Sequence, residues 1–329
     1  MKQVTRSKFS GGLSEIFLIL IIILTKKNIL TPNEYPRKDF INEVLFLYPK
    51  VSFMITRCYL EITNICNLSC KFCPKTDRAK HRLTLDEFDF LTNKLQGNIK
   101  FLYFHLMGEP LCHPLLGTYL ELAGNHGFKV ILTTNGTLLK KEQDLLLTSE
   151  ALHKVNISLH AFEANDLSVP FETYLTDCFA FGKAAEGKKI VVYRLWNHGG
   201  ADKRNTEILQ ALEAVFPQPW VQGRRGIRIG EKVFLEYGDK FDWPDLNAEE
   251  HGTHVFCYGL RDQIGVLCDG TVVPCCLDHD GDLALGNLLN SDLEEILESD
   301  RAKAIYNGFQ NRHAAEELCR KCGYARRFG

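Results

Sequence analysis

With 329 residues, 45% of them hydrophobic and 24% charged, the chain has the composition of a globular protein and is long enough for one large core and a smaller one. A formal net charge of −2 gives no electrostatic footprint for a nucleic-acid partner. The 12 cysteines fall into two groups within a long amphipathic chain, unlike the short, loop-rich frame of a disulfide-stapled secreted protein, so metal in a reducing cytoplasm is the reading they favour.

Residues 1–57 read as an N-terminal extension outside the catalytic fold. Lys2, Arg6 and Lys8 precede the apolar run Ile16 to Leu24, about half the ~20 residues of a bilayer-spanning helix. Thr25-Lys26-Lys27-Asn28 offers no small-residue cleavage site for a signal peptide. A helix packed on the body, or an extension upstream of a start at Met54, is expected, and no membrane partner.

Cys58 to Thr63 alternates and is rich in strand formers, which predicts a first strand. Thr84 with Glu87 three residues on makes a capping-box pattern that opens a helix. Phe101 to Leu106 reads as a buried strand running into Met107-Gly108-Glu109-Pro110, followed by a helix near 114–125. The strand Lys129 to Thr134 ends in Asn135-Gly136, and a helix over roughly 140–150 leads to a strand over Val155 to His160. Helical residues near 171–186, a strand over Ile190 to Leu195, a helix near 205–215 and a last strand around Ile227 to Tyr237 complete the series. Strand and helix alternate about six times, which calls for a parallel sheet with right-handed crossovers and functional loops at the strand C-termini.

Between the first strand and the first helix lies Cys66-Asn67-Leu68-Ser69-Cys70-Lys71-Phe72-Cys73. A compact loop can turn all three thiols onto one soft metal centre, which no regular helix or strand allows. Thiolates select zinc or iron–sulfur clusters. Three ligands on a four-iron cluster, which takes four, leave one iron open to a small molecule. The spacing, with an aromatic residue before the third cysteine, resembles the signature of the radical S-adenosylmethionine (SAM) superfamily. The resemblance implies a partial (βα)6 TIM-type barrel, with Cys66, Cys70 and Cys73 as ligands of a [4Fe–4S] cluster and Phe72 beside the adenine of SAM. It also implies reductive cleavage of SAM to a 5′-deoxyadenosyl radical.

The strand ends extend the resemblance. Gly108-Glu109-Pro110 is similar to the family's G-G-E-P loop, whose backbone and glutamate accept hydrogen bonds from the SAM ammonium; Met107 stands where the first glycine usually lies. Asn135 after strand three and Ser158 on strand four match positions that reach SAM or substrate, Ser158 through ribose or carboxylate. Arg194 on strand five is suited to a carboxylate. Singly each is a common turn or core feature, and their order after the cysteine loop carries the resemblance. His81, His105, His113 and His160 near strand ends are assigned no role.

After Trp243-Pro244-Asp245 short segments and a second thiol group begin. Gly265 to Cys275 reads as a hairpin with Asp269-Gly270 at its turn, and Asp292 to roughly Lys303 as an amphipathic helix that returns the chain. This tail resembles the SPASM/twitch extension of radical SAM barrels. That implies an auxiliary [4Fe–4S] cluster on Cys257, Cys275, Cys319 and Cys322, and Leu285-Gly286-Asn287 matches a stretch common there. Four thiolates suit zinc equally, Cys276 is an alternative to Cys275, and Cys268 is a further candidate ligand. Cys58, Cys112 and Cys178 read as ordinary buried thiols.

The expected organisation is an extension over 1–57, a barrel over 58–243 and an auxiliary domain over 244–329. The resemblance implies a cytoplasmic radical SAM enzyme of oxidoreductase type, served by a flavodoxin- or ferredoxin-like electron donor and acting on a small-molecule or peptide substrate. The alternative is a non-catalytic cysteine-rich binding or regulatory protein with a structural zinc site.

Overall fold

A strand that begins at Arg57 sets the frame of the molecule. The computed structural model describes residues 55–200, 202–224 and 226–328, and the expectations for residues 1–54 lie outside them. In β1, Arg57–Leu60, Cys58 and Leu60 are wholly buried, while Arg57 and Tyr59 face the opposite side of the sheet and line a cavity. That alternation is the period-2 geometry of a strand.

Five further strands run parallel to β1 in succession: β2 (Phe101–Tyr103), β3 (Lys129–Thr134), β4 (Leu152–Ser158), β5 (Ile190–His198) and, beyond a hairpin, β8 (Val233–Asp239). Helices α1 (Leu85–Leu95), α2 (Leu116–Asn125), α3 (Leu139–Thr148), α4 (Phe171–Ala185) and α5 (Asn205–Val215) connect them. Each helix turns an apolar stripe inward. In α1 the stripe is Phe88, Leu91 and Leu95, with Phe88 stacked on Tyr119 of α2 at 4.1 Å between ring centroids. The capping box of α1 is formed as its sequence indicates: Thr84 Oγ1 accepts from the Glu87 amide at 3.2 Å, and Glu87 accepts from the Thr84 amide at 2.7 Å. Six parallel strands give the open partial barrel.

Two departures from the sequence reading stand out. The expected last strand around 227–237 is two antiparallel strands, β7 (Gly226–Gly230) and β8, folded back at Glu231-Lys232, and β6 (Val221–Gly223) pairs with β7 at the sheet edge. Lys232 has φ 62°, so a lysine takes the left-handed turn position where glycine or asparagine would have signalled it. The single helix expected over 292–303 is α6 (Leu293–Leu297) and α7 (Asp300–Gln310), broken where Ser299 caps the second by accepting from the Ala302 amide.

The tail joins the same sheet. β9 (Gln263–Val266) pairs in parallel with β1, from Arg57 against Gln263 to Leu60 against Val266, and β10 (Thr271–Val273) returns antiparallel through a turn that contains Gly270 at φ 84°. β11 (Gly286–Asn287) closes that end, giving the order β11-β10-β9-β1-β2-β3-β4-β5-β8-β7-β6. The sheet is therefore open, with antiparallel hairpins at both ends. Among the described residues no helix is long and apolar enough to cross a membrane.

Candidate active site

The loop after β1 is tied at its base. Thr63 Oγ1 donates to the His81 carbonyl at 2.9 Å, Asn64 Nδ2 donates to the Ala79 carbonyl at 2.8 Å, and Asn64 Oδ1 accepts from the His81 amide at 2.8 Å. Within this tied loop the sulfurs meet polar donors. The Leu68 amide lies 3.4 Å from Cys66 Sγ, Asn165 Nδ2 lies 3.1 Å from Cys70 Sγ, and the Cys73 amide donates to the Cys70 carbonyl at 3.1 Å. Asn165 also accepts from the Ser69 amide at 3.0 Å and donates to the Ala161 carbonyl at 2.7 Å, so the segment that follows the 3₁₀ turn after β4 holds the cysteine loop. Donors aimed at sulfur suit thiolates bound to metal, whose negative charge they share. Burial pushes the bare Cys66 thiol up to about 11, a cost that a coordinated cation reverses.

Beside it sits Met107-Gly108-Glu109. Gly108 has φ 74°, and a Cβ there would lie 2.3 Å from the Thr63 carbonyl oxygen, so only glycine lets this loop touch the root of the cysteine loop. Glu109 is 2% exposed; it accepts from the Asn135 amide at 2.8 Å and the Leu111 amide at 3.1 Å. Burial, only partly offset by these bonds and by Thr134, raises its carboxyl to about 7.

Cys66, Cys70, Cys73, Gly108 and Glu109 line one cavity of about 750 Å³. So do Phe72, Asn135, Ser158 and Arg194, and so do the tail residues Cys257, Cys275, Cys319 and Cys322. Phe72 packs on His160 with ring centroids 5.0 Å apart. Arg194 stands over Trp196 and donates through Nε to Glu236, its register neighbour on β8, at 3.3 Å. The tail thiols are neighbours: burial raises Cys275 well above the ordinary thiol range, and Cys257, Cys276, Cys322 and Cys319 add to it, while Cys257, Cys319 and Cys322 also act on one another. The β9–β10 hairpin carries Cys275 back towards Cys257, while the Val255 and Ala314 backbone bonds, to Arg312 and Thr253 at 3.0 and 2.8 Å, bring the Cys319-Cys322 segment alongside.

Cys268 stands in the hairpin turn and does not line this cavity, whereas Cys276 does, its thiol bonded to Tyr59. Cys58 and Cys178 are buried as expected; Cys112 is only half-buried, next to Glu109. His113 is a satisfied interior histidine, paired with the Leu83 carbonyl and the Leu115 amide at 3.2 and 3.1 Å.

A family model for the radical SAM superfamily matches residues 60–176, and one for SPASM, an iron-sulfur cluster-binding domain, matches residues 257–323. The chain belongs to the radical SAM superfamily. It carries a SPASM/twitch-type tail, and these domains imply a [4Fe–4S] cluster with SAM in the barrel and auxiliary iron–sulfur binding in the tail. It is 30% identical over 142 residues to the tungsten-containing aldehyde ferredoxin oxidoreductase cofactor-modifying protein of Pyrococcus furiosus, covering 41% of this chain and 38% of that protein. It is 31% identical over 110 residues to the GTP 3′,8-cyclase of Chlorobaculum tepidum, covering 32% of each. The matches thus span 38% and 32% of these curated relatives' lengths. In fold it resembles BtrN, solved in complex with AdoMet and 2-DOIA (TM-score 0.53, 17% identity, 82% of this chain and 92% of that one). It also resembles Streptococcus suis SuiB (TM-score 0.56, 14% identity, 93% and 83%).

The residues fit such groups: seven thiols in two sets, amide donors on the sulfurs, and a glycine-shaped approach next to a buried carboxyl. The sequence reading passed over several lining residues, among them Tyr59, Tyr103, His105, Asn156 and Asp262. The buried side-chain polar atoms left without a partner among the described residues, His105 Nδ1, Asn156 Oδ1 and Asp262 Oδ1, all belong to residues of this lining. Strand periodicity offered one clue, since Asn156 stands two residues before Ser158 on β4 and shares its face.

Proposed function

We propose that this chain is a radical SAM enzyme that reductively cleaves SAM and abstracts a hydrogen atom from a substrate held in the cavity between its two thiol sets. The observation that carries this reading is that one cavity is lined both by Cys66, Cys70 and Cys73 and by Cys257, Cys275, Cys319 and Cys322. When bound, a reduced [4Fe–4S] cluster supplies the electron that splits SAM, and the resulting 5′-deoxyadenosyl radical takes the hydrogen atom.

The protein's own groups do the positioning. Cys66, Cys70 and Cys73 would hold the first cluster, three thiolates for a group that takes four ligands. Gly108 and Glu109 receive the SAM ammonium, Phe72 lies along the adenine, and Asn135 and Ser158 take the ribose or carboxylate. Arg194, steered by Glu236, is the cationic group of the cavity wall. Cys257, Cys275, Cys319 and Cys322 hold an auxiliary cluster. The chemistry divides at about residue 243, with SAM cleavage in 58–243 and the auxiliary site in 244–329.

The unpartnered atoms of His105, Asn156 and Asp262 support a small polar substrate. Two are acceptor oxygens, and burial with Arg194 nearby lowers His105 to about 3, leaving its ring neutral. A molecule with hydroxyl or amino donors would satisfy them, and buried polar atoms demand partners. We place the reaction among oxidations, in which 5′-deoxyadenosine would carry off the hydrogen atom and the electron that the substrate radical gives up with a proton would pass to the auxiliary cluster. A flavodoxin- or ferredoxin-like donor would supply the first electron in the cytoplasm, where an oxygen-sensitive cluster survives.

Anaerobic reconstitution with iron and sulfide tests this. About eight irons per chain and 5′-deoxyadenosine formed on reduction with SAM are expected, with cleavage lost in Cys66→Ala, Cys70→Ala or Cys73→Ala. Tightly bound zinc and intact SAM would overturn it in favour of a structural metal protein.

A further inference from the structure

Outside the cavity wall, one buried ion pair joins segments distant in sequence. Glu61, one residue past β1, has a side chain 0% exposed, and Arg78, five residues past Cys73, one 14% exposed. Both carboxylate oxygens are committed. Oε1 accepts from Arg78 Nη2 at 2.7 Å and from the Met107 amide at 3.0 Å, and Oε2 accepts from the Cys268 amide at 3.1 Å. Arg78 uses its remaining nitrogens on the tail. Nε donates to the His279 carbonyl at 2.9 Å and to Thr76 Oγ1 at 3.1 Å, and Nη1 points at Cys268 Sγ at 3.6 Å. Thr76 in turn hydrogen-bonds Asp280.

We propose that Arg78 and Glu61 form a latch that sets the SAM-binding loop and the tail's thiol hairpin in fixed relation to the first cysteine loop. Met107 opens the Gly108-Glu109 loop. Cys268 is the turn of the hairpin that carries Cys275, and His279 lies four residues beyond Cys275. One carboxylate and one guanidinium therefore tie together the segment that opens the Gly108-Glu109 loop and the tail segments before and after Cys275. The planar fork of arginine reaches four groups from three separate nitrogens, a spread that the one nitrogen of a lysine ammonium does not have. A buried pair of this kind is better suited to specifying an arrangement than to adding stability. Arg78 and Glu61 are positioning residues: neither lines the cavity.

The proposal deepens the radical SAM reading and rests on it for its SAM arm alone. In the reconstituted full-length protein, Arg78→Lys keeps the charge but loses the fork, and Thr76→Val removes the link to Asp280 and the hydroxyl that accepts from Arg78, while the Glu61 bonds to Arg78, Met107 and Cys268 stay in place. Arg78→Lys is expected to keep the iron of the first cluster and to weaken SAM binding about tenfold. Hydrogen exchange over 104–109 and 266–280 should quicken about tenfold while the amides of β3 to β5 keep their protection. Thr76→Val should quicken exchange over 276–280 alone. Combining Glu61→Gln with Arg78→Lys should add little to the worse single change, as for two halves of one device. Wild-type SAM affinity and wild-type exchange in both segments would overturn the latch, as would a uniform rise in exchange across the sheet. If the wild-type protein takes up no cluster or SAM, the functional reading fails, and the exchange measurements on the full chain still decide the latch.

Discussion

Glu109 sits at pH-sensitive balance. Its carboxyl is raised from an ordinary 4.5 to about 7 by burial, with the Asn135 and Leu111 amides pulling the other way. A raised acid favours the folded state fully below its unfolded value, and that contribution is lost as pH climbs through about 7. On this account the SAM-free protein is less stable at pH 8 than at pH 6, and Glu109→Gln flattens the slope of the melting temperature between them. An ammonium partner reverses the preference, because it binds the ionised form. SAM affinity, measured by titration of the reconstituted protein, is therefore expected to rise about tenfold between pH 6 and pH 8, and to lose most of that dependence in Glu109→Gln. Gly108→Ala is expected to be far more damaging, since its Cβ would meet backbone and not a movable side chain. Soluble protein with SAM binding lost is the expected result. Such residues were legible because their motif is local: three cysteines in eight positions and Gly-Glu-Pro need no partner to be noticed. Asn156, Asp262 and His105 were not, because their unpaired atoms become informative only when strands from both ends of the chain enclose one space. Glu61 and Arg78 escaped for the same reason, being an ordinary strand glutamate and loop arginine until folding joins them.

At the level of elements, local chemistry predicts well where the signal is completed within a few residues. The Thr84 capping box is such a case, and Thr84→Ala is expected to cost about 1 kcal/mol in chemical denaturation, since it frees the Glu87 amide and loosens the carboxylate above it. The start of α7 carried an equally local signal in Ser299-Asp300, hidden by the apolar periodicity that runs through it. The β7–β8 hairpin is different in kind. Glu231-Lys232 has none of the usual turn residues, and the left-handed conformation of Lys232 is imposed by the pairing of Ile227 with Leu235 and Gly230 with Val233. Lys232→Gly is expected to raise stability slightly or leave it unchanged, as relief of the left-handed strain offsets the added freedom of the unfolded chain; a large loss in the melting temperature would contradict that account.

Across the whole molecule, the tail is an extension of the barrel's sheet. That β9 would pair with β1, some two hundred residues earlier, could not be read from either segment, because parallel pairing leaves no mark in local sequence. Its consequence is that Cys275 follows a hairpin already held by four register pairs with β1, so the hairpin does not depend on metal to find its place. The two thiol sets are then separable. Cys319→Ser with Cys322→Ser is expected to lower bound iron from about eight to about four per chain. The first cluster's spectroscopic response to SAM, and SAM cleavage itself, should persist. Cys70→Ser should do the reverse, sparing the tail's iron and abolishing the response to SAM. Were the tail double variant to lose the SAM response together with its own iron, the tail metal would be holding the barrel in shape, and the pairing of β9 with β1 would be too weak to position the site unaided.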